Sequence, residues 1–405
     1  MKKYKVASLF SGCGGLDLGF TGGFQFKDNF FERNNFDIIF ANDIDKDAVH
    51  TYQSNNQYFQ GHSILESDIR NIASNDIPPF DILLAGFPCQ PFSNAGNRKG
   101  VNDDNGRGTL WYECERIINY AIDNFSEKPK AFLFENVRGI MSSKTNNGIT
   151  VPEEIRLRME SLGYKVSMQL IKASDYGVPQ NRYRYIIIGI RDDLEAFDFK
   201  DLNKVVLDYN LPSLSSNTYP LLLGSILCDI PKDAPQYDLY WKYSPQGQKM
   251  VDMIGVCEDG KEMLPLFQQQ VPIEQMPATI TKGKSWKNIN PNELPARFKK
   301  IYDDPKKYHA PNFYRRFALG EIAGTITASA QPENCGITHP FENRRMTIRE
   351  IARIQSFPDD FTFPTKTLVG AYKVIGNAVP PVLGWVMARA LQNHLDEALK
   401  LTSKP

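Results

Sequence analysis

The chain has 405 residues, 41% hydrophobic and 23% charged, a composition that excludes a disordered tail, a coiled coil and a collagen-like repeat. Forty-seven Lys/Arg balance 47 Asp/Glu, so a nucleic-acid partner would have to be met by a local patch rather than by net charge. The six cysteines (13, 89, 114, 228, 257, 335) contain no C-x-x-C pair, which argues against both a zinc site and a disulfide framework.

The basic start, residues 1–5, is followed by an apolar stretch at 6–10 that is too short for a signal peptide. No uninterrupted apolar run approaches the roughly 20 residues that cross a bilayer. A cytoplasmic protein with no membrane partner is expected. Strands are predicted at 5–9, 38–41, 81–85, 131–135, 165–171 and 185–190, with helices at 45–55, 110–124 and 153–162 between several of them. This alternation predicts an α/β fold with a doubly wound, mostly parallel, Rossmann-like sheet.

The first strand runs into Ser8-Leu-Phe-Ser-Gly-Cys-Gly-Gly-Leu-Asp-Leu-Gly-Phe20, a glycine-rich turn that opens a helix. Glycines let a backbone approach a ligand closely, and a helix start offers free N–H groups. The spacing G-x-G-G does not match the dinucleotide fingerprint, and a tight packing turn is the alternative. The second strand ends in Ala41-Asn-Asp-Ile-Asp45, where an acid is placed to bond the ribose hydroxyls of a nucleoside. Asp43 is the candidate and Asp45 the substitute; the alternative is a helix N-cap. Ser67-Asp68-Ile69 would close the adenine end of the same pocket.

The third predicted strand leads directly into Gly86-Phe-Pro-Cys-Gln-Pro-Phe-Ser93. Ligands of open α/β sheets sit beyond the carboxyl ends of strands, so Cys89 is presented between two prolines where a substrate would lie. A structural cysteine would have no need of so stiff a loop. The strand at 131–135 ends in Glu135-Asn-Val, which puts a carboxyl group at the same edge. Gln180-Asn-Arg-Tyr-Arg184 places Arg182 and Arg184 two residues apart at a strand start, where alternation would set both on one face. They would grip a base carbonyl or a phosphate, or else pair with a carboxylate.

From about 192 to 343 the chain is rich in Pro, Asn and Tyr, with little periodicity. Over 282–316 ten Lys/Arg face three acids, with Trp286, Tyr302, Tyr308, Phe313 and Tyr314 interleaved. Basic charge with aromatics suits a DNA backbone, although such a stretch is also what a solvated face looks like. Helical patterning returns at 347–355, read as amphipathic, and at 382–400.

Taken in order, Phe-Ser-Gly-Cys-Gly-Gly, Gly-Phe-Pro-Cys-Gln-Pro-Phe-Ser, Glu-Asn-Val, Gln-x-Arg-x-Arg and Gly376-Asn-Ala-Val-Pro-Pro381 resemble the DNA (cytosine-5) methyltransferases of bacterial restriction–modification systems. Arg345–Phe363, containing Arg-Ile-Gln-Ser-Phe-Pro-Asp-Asp-Phe, resembles that family too. The resemblance implies three parts: a catalytic and S-adenosylmethionine-binding domain at 1–192, a target recognition domain with hinge at 193–369, and a segment at 370–405 returning to the first. The family's first motif usually begins with Asp, and this chain has Ser8 there. At Ile44 some members carry an aromatic that stacks on adenine.

The resemblance also implies roles. Cys89 would add to carbon-6 of cytosine and make carbon-5 nucleophilic, a covalent route that divides one hard step. Glu135 would bind N3 and the amino group and give N3 a proton, so burial is expected to favour its acid form. Arg184, with Arg182 beside it, would hold the base carbonyl. S-adenosylmethionine, leaving as S-adenosylhomocysteine, would be cradled by Phe10, Gly12, Cys13, Gly14 and Gly15 and tied at the ribose by Asp43. Ile44, Asp68, Ile69, Pro88, Leu110 and Asn377 would line the same pocket. The base must flip out of the duplex to be reached. The segment 93–108 would close over it, with Ser93, Arg98, Lys99 and Arg107 on the DNA, while Lys299, Lys300, Lys306 and Lys307 would meet phosphates. A monomer acting on double-stranded DNA is expected, with any cognate endonuclease acting separately. An RNA cytosine methyltransferase is the rival within the fold; the long 192–343 insert argues for DNA. A catalytically silent DNA-binding regulator and a dehydrogenase fit less well.

Overall fold

The computed structural model describes residues 3–59, 62–88, 107–213, 219–257, 260–304, 312–329, 331 and 335–402. The chain divides into two compact units. One holds Met1–Tyr176, Tyr183–Leu211 and Ala378–Pro405; the other holds Gly177–Arg182 and Pro212–Asn377. The units therefore part at Leu211 and Ala378, against functional boundaries expected at 192 and 369.

Among the described residues the first unit is built on a seven-stranded sheet. Its strands are β1 (Tyr4–Leu9), β2 (Phe36–Asp43), β3 (Ile64–Glu66), β4 (Ile82–Ala85), β5 (Ala131–Val137), β6 (Tyr164–Lys172) and β7 (Tyr183–Arg191). Their spatial order is β3-β2-β1-β4-β5-β7-β6. Strands β1 to β5 are parallel, and β7 runs antiparallel to both of its neighbours. The expected mostly parallel, doubly wound sheet is thus present. Strand order reverses between β1 and β4, which opens a crevice at the carboxyl ends of the strands.

Local sequence explains these elements. All four residues of β4 are buried, as an unalternating apolar run requires when both faces are covered. Helix α1 (Gly15–Thr21) follows β1, and α2 (Lys46–Ser54) follows β2. Helix α3 (Trp111–Asn124) buries Trp111, Cys114, Ile117, Ile118 and Ala121, one stripe at helical spacing. Helix α4 (Val151–Ser161) begins under a Thr150 cap with Pro in its first turn. The last helix of this unit (Pro381–Thr402) packs on α1 where Gly19 meets Gly384; a Cβ on Gly19 would stand 2.5 Å from the Gly384 backbone. The stretch Leu368–Lys400 contains a window long and apolar enough to cross a membrane, and 89% of that window is buried inside the protein.

The second unit has little regular ladder among its described residues. Lys284–Ser285 pairs with Arg315–Arg316, and Gln180–Asn181 with Ala323–Gly324. The helix at Ile348–Ile354 is buried at all seven positions, although its sequence reads as amphipathic. Its charges are met internally. Arg349 donates to the carbonyls of Pro235, Pro358 and Phe361, and Arg353 to Asp359 and the Ile226 carbonyl. Glu350 caps the helix start in a capping box with Thr347.

Candidate active site

The turn after β1 separates the two readings of its glycines. Among the described residues Gly12 (φ +58°) has nothing within 4 Å of where a Cβ would stand, so that face is open. Gly14 (φ +86°) is filled instead: a Cβ there would meet Phe59 at 2.5 Å and Tyr52 at 2.9 Å. Those two rings stack at 3.9 Å. Gly14 is therefore a packing glycine, and Gly12 is the one that leaves room for a ligand. Phe10 takes φ +55°, a left-handed conformation uncommon outside glycine, and is partly buried against the core. The Cys13 side chain is 1% exposed and burial pushes its thiol up to about 12, so a ligand would meet only its backbone. Gly15 lies buried in α1.

Asp43 and Asp45 divide the two roles open to them. Asp45 caps α2, accepting from the N–H groups of Asp47 (3.0 Å) and Ala48 (3.3 Å). Asp43 accepts from the Gly12 N–H (2.8 Å) and the Asp45 N–H (2.8 Å), which ties the end of β2 to the open turn. Burial pushes the Asp43 carboxyl above its ordinary value, against the pull of those N–H groups. Beside it, Ile44 is 63% exposed, an apolar face at the rim. Asp68 caps the short helix Ile69–Asn71 and pairs with Arg70 at 2.5 Å; Arg70 holds its carboxyl below the usual range. Ile69 and Leu110 are core side chains, so Ile69 would reach a ligand only through its backbone. Arg116 of α3 braces this segment through the carbonyls of Ile69 and Ile72 and the Ser74 hydroxyl.

Glu135 and Arg184 meet at the ends of two adjacent strands. In the β5–β7 register Glu135 is opposite Ile186 and Val137 opposite Arg184, so the two side chains are diagonal neighbours on one face. Arg184 Nε lies 2.5 Å from Glu135 Oε1, and both side chains are about nine-tenths buried. A Cβ on Gly86 would stand 3.8 Å from Glu135 Oε2 and 3.8 Å from the Phe10 carbonyl oxygen. The end of β4 therefore lies between the turn after β1 and the acid of β5. Asn136 donates to the Phe87 carbonyl at 3.1 Å and so fixes the backbone just before Pro88, which is half-buried. Sequence reasoning assigned nothing to Asn136 or Arg116; the position of Asn136 beside Glu135 is the one signal that could have found it. Cys89 lies outside the described residues.

Arg182 does not join this pair. Strand β7 begins at Tyr183, so the alternation expected to align Arg182 with Arg184 does not extend to it. Its guanidinium is fully buried in the second unit and donates to the carbonyls of Ile326 (2.9 Å) and Gly376 (3.0 Å). Asn377 is exposed at the end of the helix Leu368–Asn377.

The expected DNA face is only partly described. Ser93, Arg98, Lys99, Lys306 and Lys307 lie outside the described residues, and Arg107 opens the short helix Arg107–Thr109. Lys299 and Lys300 are exposed on the helix Ala296–Asp303. Two members of the basic stretch are engaged within the protein. Arg316 is 1% exposed and donates to the carbonyls of His339 and Glu342, and Arg315 pairs with Glu321. Trp286, Phe313 and Tyr314 form a small core with Phe298, Leu294 and Met250, so their interleaving with lysines reflects packing. Tyr302 is 44% exposed. No group of three His, Cys, Asp or Glu among the described residues has the arrangement of a metal site.

Comparison with known proteins covers nearly the whole chain. The profile of the C-5 cytosine-specific DNA methylases matches residues 4–393. The chain is 40% identical over 379 residues to the Type II methyltransferase M.Bsp6I of Bacillus sp. (strain RFL6), covering 93% of this chain and 94% of that one. It is 32% identical over 406 residues to the Type II methyltransferase M.FnuDI of Fusobacterium nucleatum, covering 98% and 96%. Among solved structures, the methyltransferase EhMeth of Entamoeba histolytica superposes with a TM-score of 0.56 at 16% identity, over 98% of this chain and 99% of that one. At that identity the likeness speaks to the fold alone.

Proposed function

The chain belongs to the C-5 cytosine-specific DNA methylase family, and we propose that it is the modification enzyme of a Type II restriction–modification system, using S-adenosylmethionine to methylate a flipped-out cytosine in duplex DNA through Cys89. The observation that carries this reading is the Glu135–Arg184 pair at the strand ends, next to a backbone fixed by Asn136 one residue before Pro88. That backbone leads straight into Cys89.

The residues fit the methyl donor. The open face at Gly12, the Asp43 carboxylate at the end of β2 and the exposed Ile44 offer a cradle, a ribose acceptor and an apolar rest for adenine. Phe10, Asp68 and the backbone of Ile69, with Pro88, complete the proposed set. S-adenosylmethionine bound there would supply the methyl group and depart as S-adenosylhomocysteine.

The protein's own groups do the rest. The Cys89 thiolate forms a bond to carbon-6 while Glu135 gives its proton to N3, so negative charge does not build up on the ring. An ordinary thiol pKa near ~8.5 leaves only a few per cent ionised at neutral pH, and coupling the addition to proton transfer offsets that. Arg184 steadies the base and balances the Glu135 carboxylate before the proton returns. After methylation, loss of the carbon-5 proton and expulsion of the Cys89 thiolate restore aromaticity. Arg182 acts in this account as a brace in the second unit. Residues 1–192 carry the chemistry, 193–369 read the DNA and 370–405 return to the catalytic part. The enzyme works as a cytoplasmic monomer, with any cognate endonuclease separate.

Relatives at 30–40% identity over more than nine-tenths of the chain carry Type II methyltransferase names, which supports DNA over RNA. Incubation with methyl-labelled S-adenosylmethionine and either duplex DNA or tRNA tests this. Label at carbon-5 of cytosine in duplex DNA is expected; label confined to tRNA would overturn the reading.

A further inference from the structure

The family pattern opens its first motif with Asp where this chain has Ser8. Ser8 is 1% exposed at the end of β1, and its hydroxyl donates to Asp17 Oδ1 at 2.6 Å. A carboxylate therefore does stand beside that strand position, delivered by α1 instead of by the strand. Asp17 is itself 0% exposed, and its other oxygen accepts from the Tyr52 hydroxyl at 3.0 Å. Among the described residues it forms no ion pair, so a buried acid is kept on two hydroxyl donors alone, an arrangement that costs stability.

What that acid orders lies on the other side of Ser8. The Ser11 hydroxyl donates to Ser8 Oγ (2.9 Å) or to the Ser8 carbonyl (3.0 Å), and its oxygen faces the Asn42 N–H at 3.3 Å. The Ser11 N–H reaches the Asn42 carbonyl at 2.9 Å. The next residue, Gly12, donates to Asp43. A carboxylate can only accept, so an ionised Asp17 forces Ser8 to donate to it and to accept from Ser11. The Ser8 and Tyr52 protons then each have one direction, and the Ser11 proton turns back to Ser8 in either of its bonds. Tyr52, the second donor, is also the ring that packs against Gly14.

We propose that Asp17 is a positioning residue for the methyl-donor turn, its carboxylate fixing the Ser8–Ser11 chain and so holding Ser11-Gly12 with the Gly12 face open. This rests on the reading that the turn binds S-adenosylmethionine. Asp17 replaces, from the helix, the acid that the strand lacks.

Binding of S-adenosylmethionine and of target duplex, measured separately on the full chain, tests it. Asp17→Asn should weaken S-adenosylmethionine binding by about tenfold or more, the scale of a lost charge-assisted hydrogen bond. It should raise KM for the donor with kcat and duplex affinity little changed. The exchange Ser8→Asp with Asp17→Ser returns the carboxylate to the strand and should restore donor affinity to within a few-fold. Parent-like donor binding by Asp17→Asn overturns the proposal, as does a folded double exchange that stays weak. Should both variants fail to fold, Ser8→Ala decides: weakened donor binding supports the proposal and unchanged binding overturns it. A parent enzyme that binds no S-adenosylmethionine would instead sink the underlying reading of the turn.

Discussion

Buried charge is used differently in the two units. In the first, buried acids meet other side chains: Glu135 with Arg184 at the strand ends, and Asp17 of α1 with Ser8 and Tyr52. In the second, several buried arginines meet main-chain carbonyls: Arg182, Arg316, Arg345 and Arg349 each donate to at least two, while Arg353 joins the Asp359 carboxylate as well as a carbonyl. The physical reason is the backbone. Sheet ladders and helices satisfy the peptide groups of the first unit and leave its side chains available for chemistry. An irregular fold leaves carbonyls unpaired, and the five donors of a guanidinium take the place of a ladder. Arg182 and Arg184, two residues apart, fall on opposite sides of this divide.

Substitutions can break that contrast. Glu135→Gln keeps size and removes the transferable proton, so methyl transfer should fall about 10²–10⁴-fold in a protein that still folds, with some stability lost because Arg184 keeps no buried counter-charge. A large loss of stability with activity retained would put Glu135 with the bracing residues. In the second unit the reverse is expected. Arg349→Ala strips three carbonyls of their donor and should cost about 3–5 kcal/mol in urea unfolding. Loss of only the about 0.5 kcal/mol typical of a surface change would mean these carbonyls find other partners.

Asp17 sharpens the comparison through pH. Burial raises its carboxyl from 3.8 to about 6, so folding favours the protonated form. That stabilisation is complete below the ordinary value and is lost as pH rises through about 6. The loss is on the order of 3 kcal/mol. Relative to the parent, Asp17→Asn should therefore gain about that much stability between about pH 4 and about pH 7. A pH-independent difference would mean that Asp17 does not titrate there. The smallest effect concerns the exposed lysines of the second unit. Replacing Lys299 and Lys300 by Gln should weaken all duplexes alike and reduce the salt slope of binding by about two. An unchanged slope would turn that helix away from the DNA.

Much of the first unit was legible because its signals are local. Apolar runs marked six of the seven sheet strands; only the three-residue β3 gave no pattern to read. Strand ends marked where Asp43, Glu135 and the loop before Cys89 would gather. Less legible was anything decided by a partner distant in sequence. Gly14 looks like a ligand glycine until Tyr52 and Phe59 fill its place. Asp43 was preferred to Asp45 on paper, but its bond from the Gly12 N–H, 31 residues away, could not be read there. Arg349 and Arg353 gave their helix an amphipathic pattern because charge is read as exposure; the carbonyls of Pro235 and Ile226, far along the chain, help overturn that reading.

The central claim is that Cys89 adds to carbon-6 and leaves only after the carbon-5 proton is lost. Fluorine at carbon-5 cannot depart as a cation, so a duplex with 5-fluorocytosine at the target should trap the enzyme after one methyl transfer. The account predicts a complex that survives denaturing electrophoresis, requires S-adenosylmethionine and maps by peptide mass to the segment containing Cys89. An enzyme that is active on the ordinary site yet forms no such complex, or forms it at another residue, would contradict it.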